Sequence, residues 1–152
     1  MSGIIGRARS KSGVIGNGKG IGFFAHGNSE GSVTYADNAV IIFASAPYNE
    51  GGCYSTSTGR FTAPVTGFYH FDFTFYAYGG SNSYQFWLTD SNAYDWGRHL
   101  TLITTDRMGT WSQIAYLTKG MYIFPKNVGG DRDLYVHSAS HTRFCGHLIG
   151  EE

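Results

Sequence analysis

Gly67-Phe68-Tyr69-His70-Phe71-Asp72-Phe73-Thr74-Phe75-Tyr76-Ala77-Tyr78 is the stretch on which the reading of the fold turns. A β-strand sends successive side chains to opposite faces. On that period Tyr69, Phe71, Phe73, Phe75 and Ala77 share one face, and Phe68, His70, Asp72, Thr74, Tyr76 and Tyr78 share the other. The first set is a core face. The second mixes His, Asp and Thr with Phe and Tyr, which a solvated face would not do. That composition suits a partly polar interface between copies. Phe68, His70, Asp72, Tyr76 and Tyr78 are therefore the expected subunit contacts.

The pattern continues on both sides. Phe23–His26 and Val40–Phe43 read as strands, and so do residues 84–89, 99–105, 110–118, 121–124, 134–138 and 143–149. Turn-forming clusters separate them at 28–31, 79–82, 90–92 and 129–133. Residues 46–52, with Pro47 and the Gly51-Gly52 pair, read as a loop. No window of ten or more residues carries a 3.6-residue apolar period. Many short strands at regular spacing predict an all-β sandwich or barrel.

Composition agrees. The 152 residues are rich in Gly (22) and in aromatics (16%), and only 14% are charged, which favours strands and tight turns over helices. The length suits one domain. No run approaches the roughly 18 apolar residues of a membrane helix, so no membrane insertion is expected. The N-terminus has no continuous apolar segment of the secretory type. Cys53 and Cys145 are expected as reduced, buried thiols; a single disulfide is the alternative.

Charge is neutral overall but uneven. Arg7, Arg9, Lys11 and Lys19 fall in the first twenty residues with no acid, so the remainder is net acidic. A body without a basic face is not expected to bind nucleic acid. The basic segment contains a repeat, Ser2-Gly3-Ile4-Ile5-Gly6 and Ser12-Gly13-Val14-Ile15-Gly16. It has too little apolar area to fold alone. Its β-branched pairs can add a strand to another protein's sheet edge or fill a groove. Residues 1–22 are thus expected to be a glycine-rich basic arm and residues 23–152 the folded domain. Ile4, Ile5, Arg7, Arg9, Lys11, Val14 and Ile15 would be the docking residues.

The spacing of the central residues is specific. Phe43 is followed by Asn49, Tyr54, Phe61 and then Gly67-Phe68-Tyr69-His70-Phe71-Asp72-Phe73. This resembles the signature of the C1q-like family. Ser57-Thr58-Gly59-Arg60-Phe61-Thr62-Ala63-Pro64-Val65 resembles that family's approach to its central strand, and Arg143-Phe144-Cys145-Gly146-His147-Leu148 its closing strand. Gly59 and Gly67 read as turn positions where positive φ is cheap, and Pro64 as a strand end. The resemblance implies a ten-stranded jelly-roll sandwich, shared with tumour necrosis factor, that assembles as a homotrimer. Lys119-Gly120-Met121 lacks the acid that often precedes the penultimate strands, so the family's calcium site is not carried over, and Asp131 and Asp133 alone are a weak Ca²⁺ signal. No metal and no cofactor is expected. The arm and the closing Gly146-His147-Leu148-Ile149-Gly150 are similar to small virion proteins and tail-fibre ends of tailed bacteriophages.

Catalytic motifs fail on context. Gly27-Asn28-Ser29-Glu30-Gly31 fits G-x-S-x-G but has no helix after it. Gly13–Lys19 nearly fits a phosphate loop, but Gly20 stands where Ser or Thr must hold magnesium. Nothing singles out Asp90, Asp95 and Asp106 as an acid pair for glycoside cleavage. A zinc site would need more Cys or His at ligand spacing, and His147 beside Cys145 reads as a neighbour pair on one strand.

The expectation is a non-enzymatic, trimeric structural protein of a tailed-phage virion, assembled in the host cytoplasm. A chain beginning at Met1 with no stalk suits a capsid decoration or cement protein whose arm docks on the major capsid protein or another virion protein. The alternative is a lectin-like tail knob that binds host surface glycans through Tyr94, Asp95 and Trp96.

Overall fold

The computed structural model describes residues 20–27, 31–77, 82–103, 107–136 and 141–152. Tyr78, the arm residues Ile4 to Ile15 and most of the Gly27–Gly31 motif lie outside the described residues. Twelve strands are present and no helix among the described residues: β1 (Gly22–His26), β2 (Ser32–Tyr35), β3 (Ser45–Glu50), β4 (Tyr54–Ser55), β5 (Arg60–Thr62), β6 (Gly67–Ala77), β7 (Asn82–Asp90), β8 (Asp95–Ile103), β9 (Arg107–Leu117), β10 (Tyr122–Val128), β11 (Arg132–Tyr135) and β12 (Arg143–Glu151). They form a jelly-roll sandwich of a seven-stranded sheet, β2-β11-β6-β12-β1-β3 with β9 on the other edge of β6, and a five-stranded sheet, β4-β5-β10-β7-β8.

Strand β6 organises the fold because three strands share its edges. β9 pairs with its whole length, from Gly67↔Leu117 to Ala77↔Arg107. On the other edge β12 covers Gly67 to Thr74 and β11 meets only Ala77. Thr142, fully buried, fills the gap between those two neighbours. Its hydroxyl accepts from Tyr76 N (3.0 Å) and donates to Tyr135 O (2.7 Å), replacing ladder bonds that no strand supplies there. The inward face of β6 is the one read from the sequence: Tyr69, Phe71, Phe73, Phe75 and Ala77 are all at most 1% exposed. Across the sandwich Phe71 meets Phe61 edge-on (5.1 Å), and Phe73 meets Phe86 (5.3 Å) and Phe43 (6.3 Å). Such aromatic pairs add about 0.5–1.5 kcal/mol each beyond their buried area.

The spaced signature residues have physical roles. Asn49 uses its amide as a strand would: Nδ2 donates to Tyr54 O and Oδ1 accepts from Tyr54 N, both at 2.9 Å. The Tyr54 hydroxyl in turn accepts from Phe43 N (3.2 Å), and its ring stacks on Phe23 (4.8 Å). Gly59 is left-handed (φ 71°), as expected. Gly67 is not; it is extended, and glycine is required because a Cβ there would lie 2.3 Å from Gly150 O.

Two local expectations are corrected. Val40–Phe43 is not a strand: apart from one bridge from Val40 to Lys126 and a bond from Ile41 N to Pro125 O, it runs free of a sheet while burying Ile41 and Phe43 completely. Residues 46–50, part of the 46–52 stretch expected as loop, belong to strand β3, paired with β1. Pro47 is tolerated because β3 lies at the sheet edge and Pro47 falls where the register shifts between Phe24 and His26. Ile21 packs on the core, and its carbonyl accepts from Leu148 N (3.0 Å). Both cysteines are free thiols, Cys53 buried and Cys145 half-buried.

Where β12 crosses β6, Gly146 faces Phe71 so closely that a Cβ would sit 2.4 Å from the ring and 3.0 Å from His70 O. Gly146→Ala is expected to cost about 1–3 kcal/mol, the range for overpacking a close-packed core. Chemical denaturation of the variant beside the wild type measures it.

Candidate functional site

The outer face of the seven-stranded sheet is the candidate site. The period of two that buries Tyr69 to Ala77 turns Phe68, His70, Asp72 and Tyr76 outward. The β6–β9 register sets Tyr116 opposite Phe68, Ile114 opposite His70, Ser112 opposite Asp72 and Met108 opposite Tyr76. The β6–β12 register adds His147 opposite His70 and Cys145 opposite Asp72. Beyond β12, Phe24 lies opposite Cys145 and Tyr48 opposite Phe24.

This face is apolar for a surface. Phe68, Met108 and Ile114 are each just over half exposed, and so is Ile149 at the β12 bulge; Tyr48 is 48% exposed. They account for most of the exposed large hydrophobics among the described residues. Phe68 and Tyr116 pack ring to ring at 5.2 Å, with Ile114 two residues along β9 on the same face, while Met108 and Tyr48 lie farther off toward other edges of it. Scattered exposed apolar side chains are ordinary, but a contiguous patch marks an interaction surface. A polar strip runs through it. His70 Nε2 lies 2.7 Å from Ser112 Oγ, His70 Nδ1 lies 3.4 Å from Asp72 Oδ2, and the His70 and His147 rings are 5.3 Å apart. Tyr76, Tyr135 and His141 form an aromatic cluster at the far end, with ring centres 4.8–5.8 Å apart. Burial, followed by the nearby Asp72 carboxylate, raises the Cys145 thiol above its ordinary value. At the near end the Tyr116 hydroxyl donates to the Glu152 carboxylate, which holds the phenol proton on.

The structure therefore brings Phe68, His70, Asp72 and Tyr76 onto one surface. Sequence reasoning missed Tyr48, Met108, Ile114, Tyr116 and Ile149. The signal was present for two of them: Thr110, Ser112, Ile114 and Tyr116 alternate with Trp111, Gln113, Ala115 and Leu117. Only pairing with β6 shows which of those sets faces out.

Tyr94, Asp95 and Trp96 sit at the β7–β8 turn, and their surroundings are internal. Asp90, 4% exposed, anchors the turn: Oδ1 accepts from Asn92 N (2.7 Å) and Tyr94 N (3.1 Å), and Oδ2 accepts from the Trp96 indole N–H (2.8 Å). Asp95 accepts from Thr89 Oγ1 (2.7 Å) and lies 3.9 Å from Lys126 Nζ. Tyr94 alone is largely exposed. The acids weighed for calcium are also occupied: Asp131 accepts from Asp37 N (3.1 Å) and Asp133 from Thr34 Oγ1 (2.5 Å). Asp37 itself is held below the usual carboxylate range by the amides of Gly130 and Gly129.

Comparison with known proteins bears on this geometry. The family model described as the C1q domain matches residues 23–149. Among solved structures, the globular domain of zebrafish complement 1qA protein superposes with a TM-score of 0.68 at 16% identity, covering 89% of this chain and 100% of that one. The Eiger TNF of S. frugiperda gives 0.69 at 18% identity, with 89% and 96% covered. Murine APRIL at pH 5.0 gives 0.72 at 10% identity, with 86% and 100% covered. At these identities the likeness is one of fold. No curated protein sequence matches the chain significantly.

Trp96→Phe keeps the ring and removes the N–H given to Asp90. Leaving a buried carboxylate oxygen without its donor is expected to lower stability by about 1–3 kcal/mol. Urea titration followed by far-UV circular dichroism measures the loss.

Proposed function

The chain belongs to the C1q domain family, and from that premise we propose that it is a non-enzymatic homotrimer whose subunits meet through the outer face of the seven-stranded sheet. Domains of this family are generally binding or structural modules, usually trimeric. One observation carries the reading for this chain: Phe68, Ile114, Met108, Tyr48 and Ile149 are exposed large hydrophobics, and those on β6 and β9 share the outer face with His70, Asp72, Ser112, Thr74 and Thr110. The core of a subunit interface has that mixture, rich in aromatics and Met and poor in charge. Burial there would recover about 25 cal/mol for each Å² of apolar surface covered.

The trimer is proposed to serve as a structural protein of a tailed-phage virion, assembled in the host cytoplasm, with the arm docking on the major capsid protein or another virion protein. The support is chemical. The arm concentrates Arg7, Arg9, Lys11 and Lys19 on a chain whose remainder is net acidic, and it repeats a β-branched pair between glycines. It leaves the domain at Ile21, beside Leu148. Such a segment gains binding energy by ordering on a partner. Glycan binding through Tyr94, Asp95 and Trp96 is the weaker reading, because Trp96 and Asp95 are hydrogen-bonded within their own turn.

Placing a charge in the apolar patch separates interface from core. Ile114→Asp is expected to keep the far-UV spectrum of the wild type and to elute from gel filtration as a smaller species; unchanged elution contradicts the interface. Deleting residues 1–20 is expected to do the reverse. The truncated chain keeps the wild-type elution class but no longer co-sediments with capsids that lack this protein. Retained co-sedimentation would remove the docking role of the arm.

A further inference from the structure

His70 and Asp72 stand two residues apart on β6, so they share its outer face, and His147 of β12 lies directly across from His70. Taken pair by pair, two of their separations match those between ligands of one ion. Two imidazoles bound through nitrogen to a tetrahedral Zn²⁺, with Zn–N about 2.0–2.1 Å, place their ring centres about 5 Å apart; His70 and His147 are 5.3 Å apart. A nitrogen and a carboxylate oxygen on the same ion lie about 3.3 Å apart; His70 Nδ1 and Asp72 Oδ2 are separated by 3.4 Å.

The second coordination layer agrees. Metal-bound histidines usually give their other ring N–H to an oxygen, which fixes the tautomer. His70 Nε2 is 2.7 Å from Ser112 Oγ. With the proton on Nε2 and donated to Ser112, Nδ1 presents a lone pair to the Asp72 carboxylate. In that tautomer the Nδ1 lone pair and the Asp72 carboxylate can hold one cation between them, whereas in the other Nδ1–H simply faces the carboxylate; a bound cation selects the first. In the observed rotamers no three donors among the described residues converge on one point. His147 supplies the missing freedom: it is exposed and makes no side-chain hydrogen bond among the described residues, so its ring can turn.

We propose that His70, Asp72 and His147 form a divalent transition-metal site on the outer sheet face, with Ser112 positioning His70. Two imidazoles and one carboxylate suit Zn²⁺. Cys145, across from Asp72, is not needed as a ligand. The remaining coordination positions point away from the sheet, to water or a neighbouring copy. The site is built from one chain's residues and does not depend on the trimer.

The test is titration of the untagged, full-length chain with Co²⁺, read by the intense visible absorption of four-coordinate cobalt, and with Zn²⁺ by calorimetry. The expected result is one ion per chain. His70→Gln, His147→Gln and Asp72→Asn should each weaken binding by at least about tenfold, and Ser112→Ala by about tenfold, with Ser112→Thr restoring it. His26→Gln should bind as the wild type. Binding should persist in Met108→Asp, which puts the charge opposite Tyr76 and away from His70 and tests the site apart from subunit association. Absence of binding to the wild type, or wild-type binding by both His70→Gln and His147→Gln, overturns the proposal.

Discussion

The burial of one face of β6 against the opposite sheet is the constraint on which the rest of the structure depends. Tyr69, Phe71, Phe73 and Phe75 are large and rigid, and each is at most 1% exposed. A one-residue slip of β6 would move all of them to the surface and bury Phe68, His70, Asp72 and Tyr76 instead. The register with β9 and β12 is therefore strongly specified. Because those two registers are fixed, so is the pattern on the other side of the sheet: Ile114, Ser112, His147 and Cys145 can only stand where they do. The candidate site is the reverse side of the core.

That coupling explains why the face can be apolar without being core. Thr74, at the centre of the outer face, is 1% exposed and lies 3.3 Å from Thr110, hydroxyl to hydroxyl. On either side of it the surface opens, to Phe68, Ile114 and Ile149 at one end and to Met108 at the other. None of the other described residues covers them, and their sequence positions are set by strand pairing. A polar alternative at Phe68 or Ile114 would leave the core unchanged, so their apolar character calls for a reason outside the monomer fold. The proposed contact between copies would supply that reason.

Much of the fold was legible in the sequence because its main signal is local. The alternation in residues 67–78 sets both faces of β6, and the Phe43, Asn49, Tyr54, Phe61, Gly67 spacing identifies the family that the whole-domain match confirms. What escaped was decided by partners. Residues 46–52 contain a proline and read as loop, yet their first five belong to an edge strand, because the sheet edge does not need the Pro47 N–H. Val40–Phe43 has strand composition, yet Ile41 and Phe43 are buried by a segment with little sheet pairing. Gly67 reads as a turn glycine in sequence, whereas the carbonyl of Gly150 requires it in the structure. On the site, Phe68, His70, Asp72 and Tyr76 follow from periodicity, but their neighbours on β9 and β12 come from distant parts of the chain and appear only once the register is known. For the same reason His147 beside Cys145 reads as a neighbour pair in sequence, while in the sheet it faces His70.

The central claim is that the outer sheet face joins three copies of this chain. Sedimentation equilibrium of the full-length protein over a range of micromolar concentrations tests it most directly. The account predicts a single species of three times the 16.7 kDa chain mass. A concentration-independent mass of 16.7 kDa would contradict it, since the apolar face would then stand uncovered in solution.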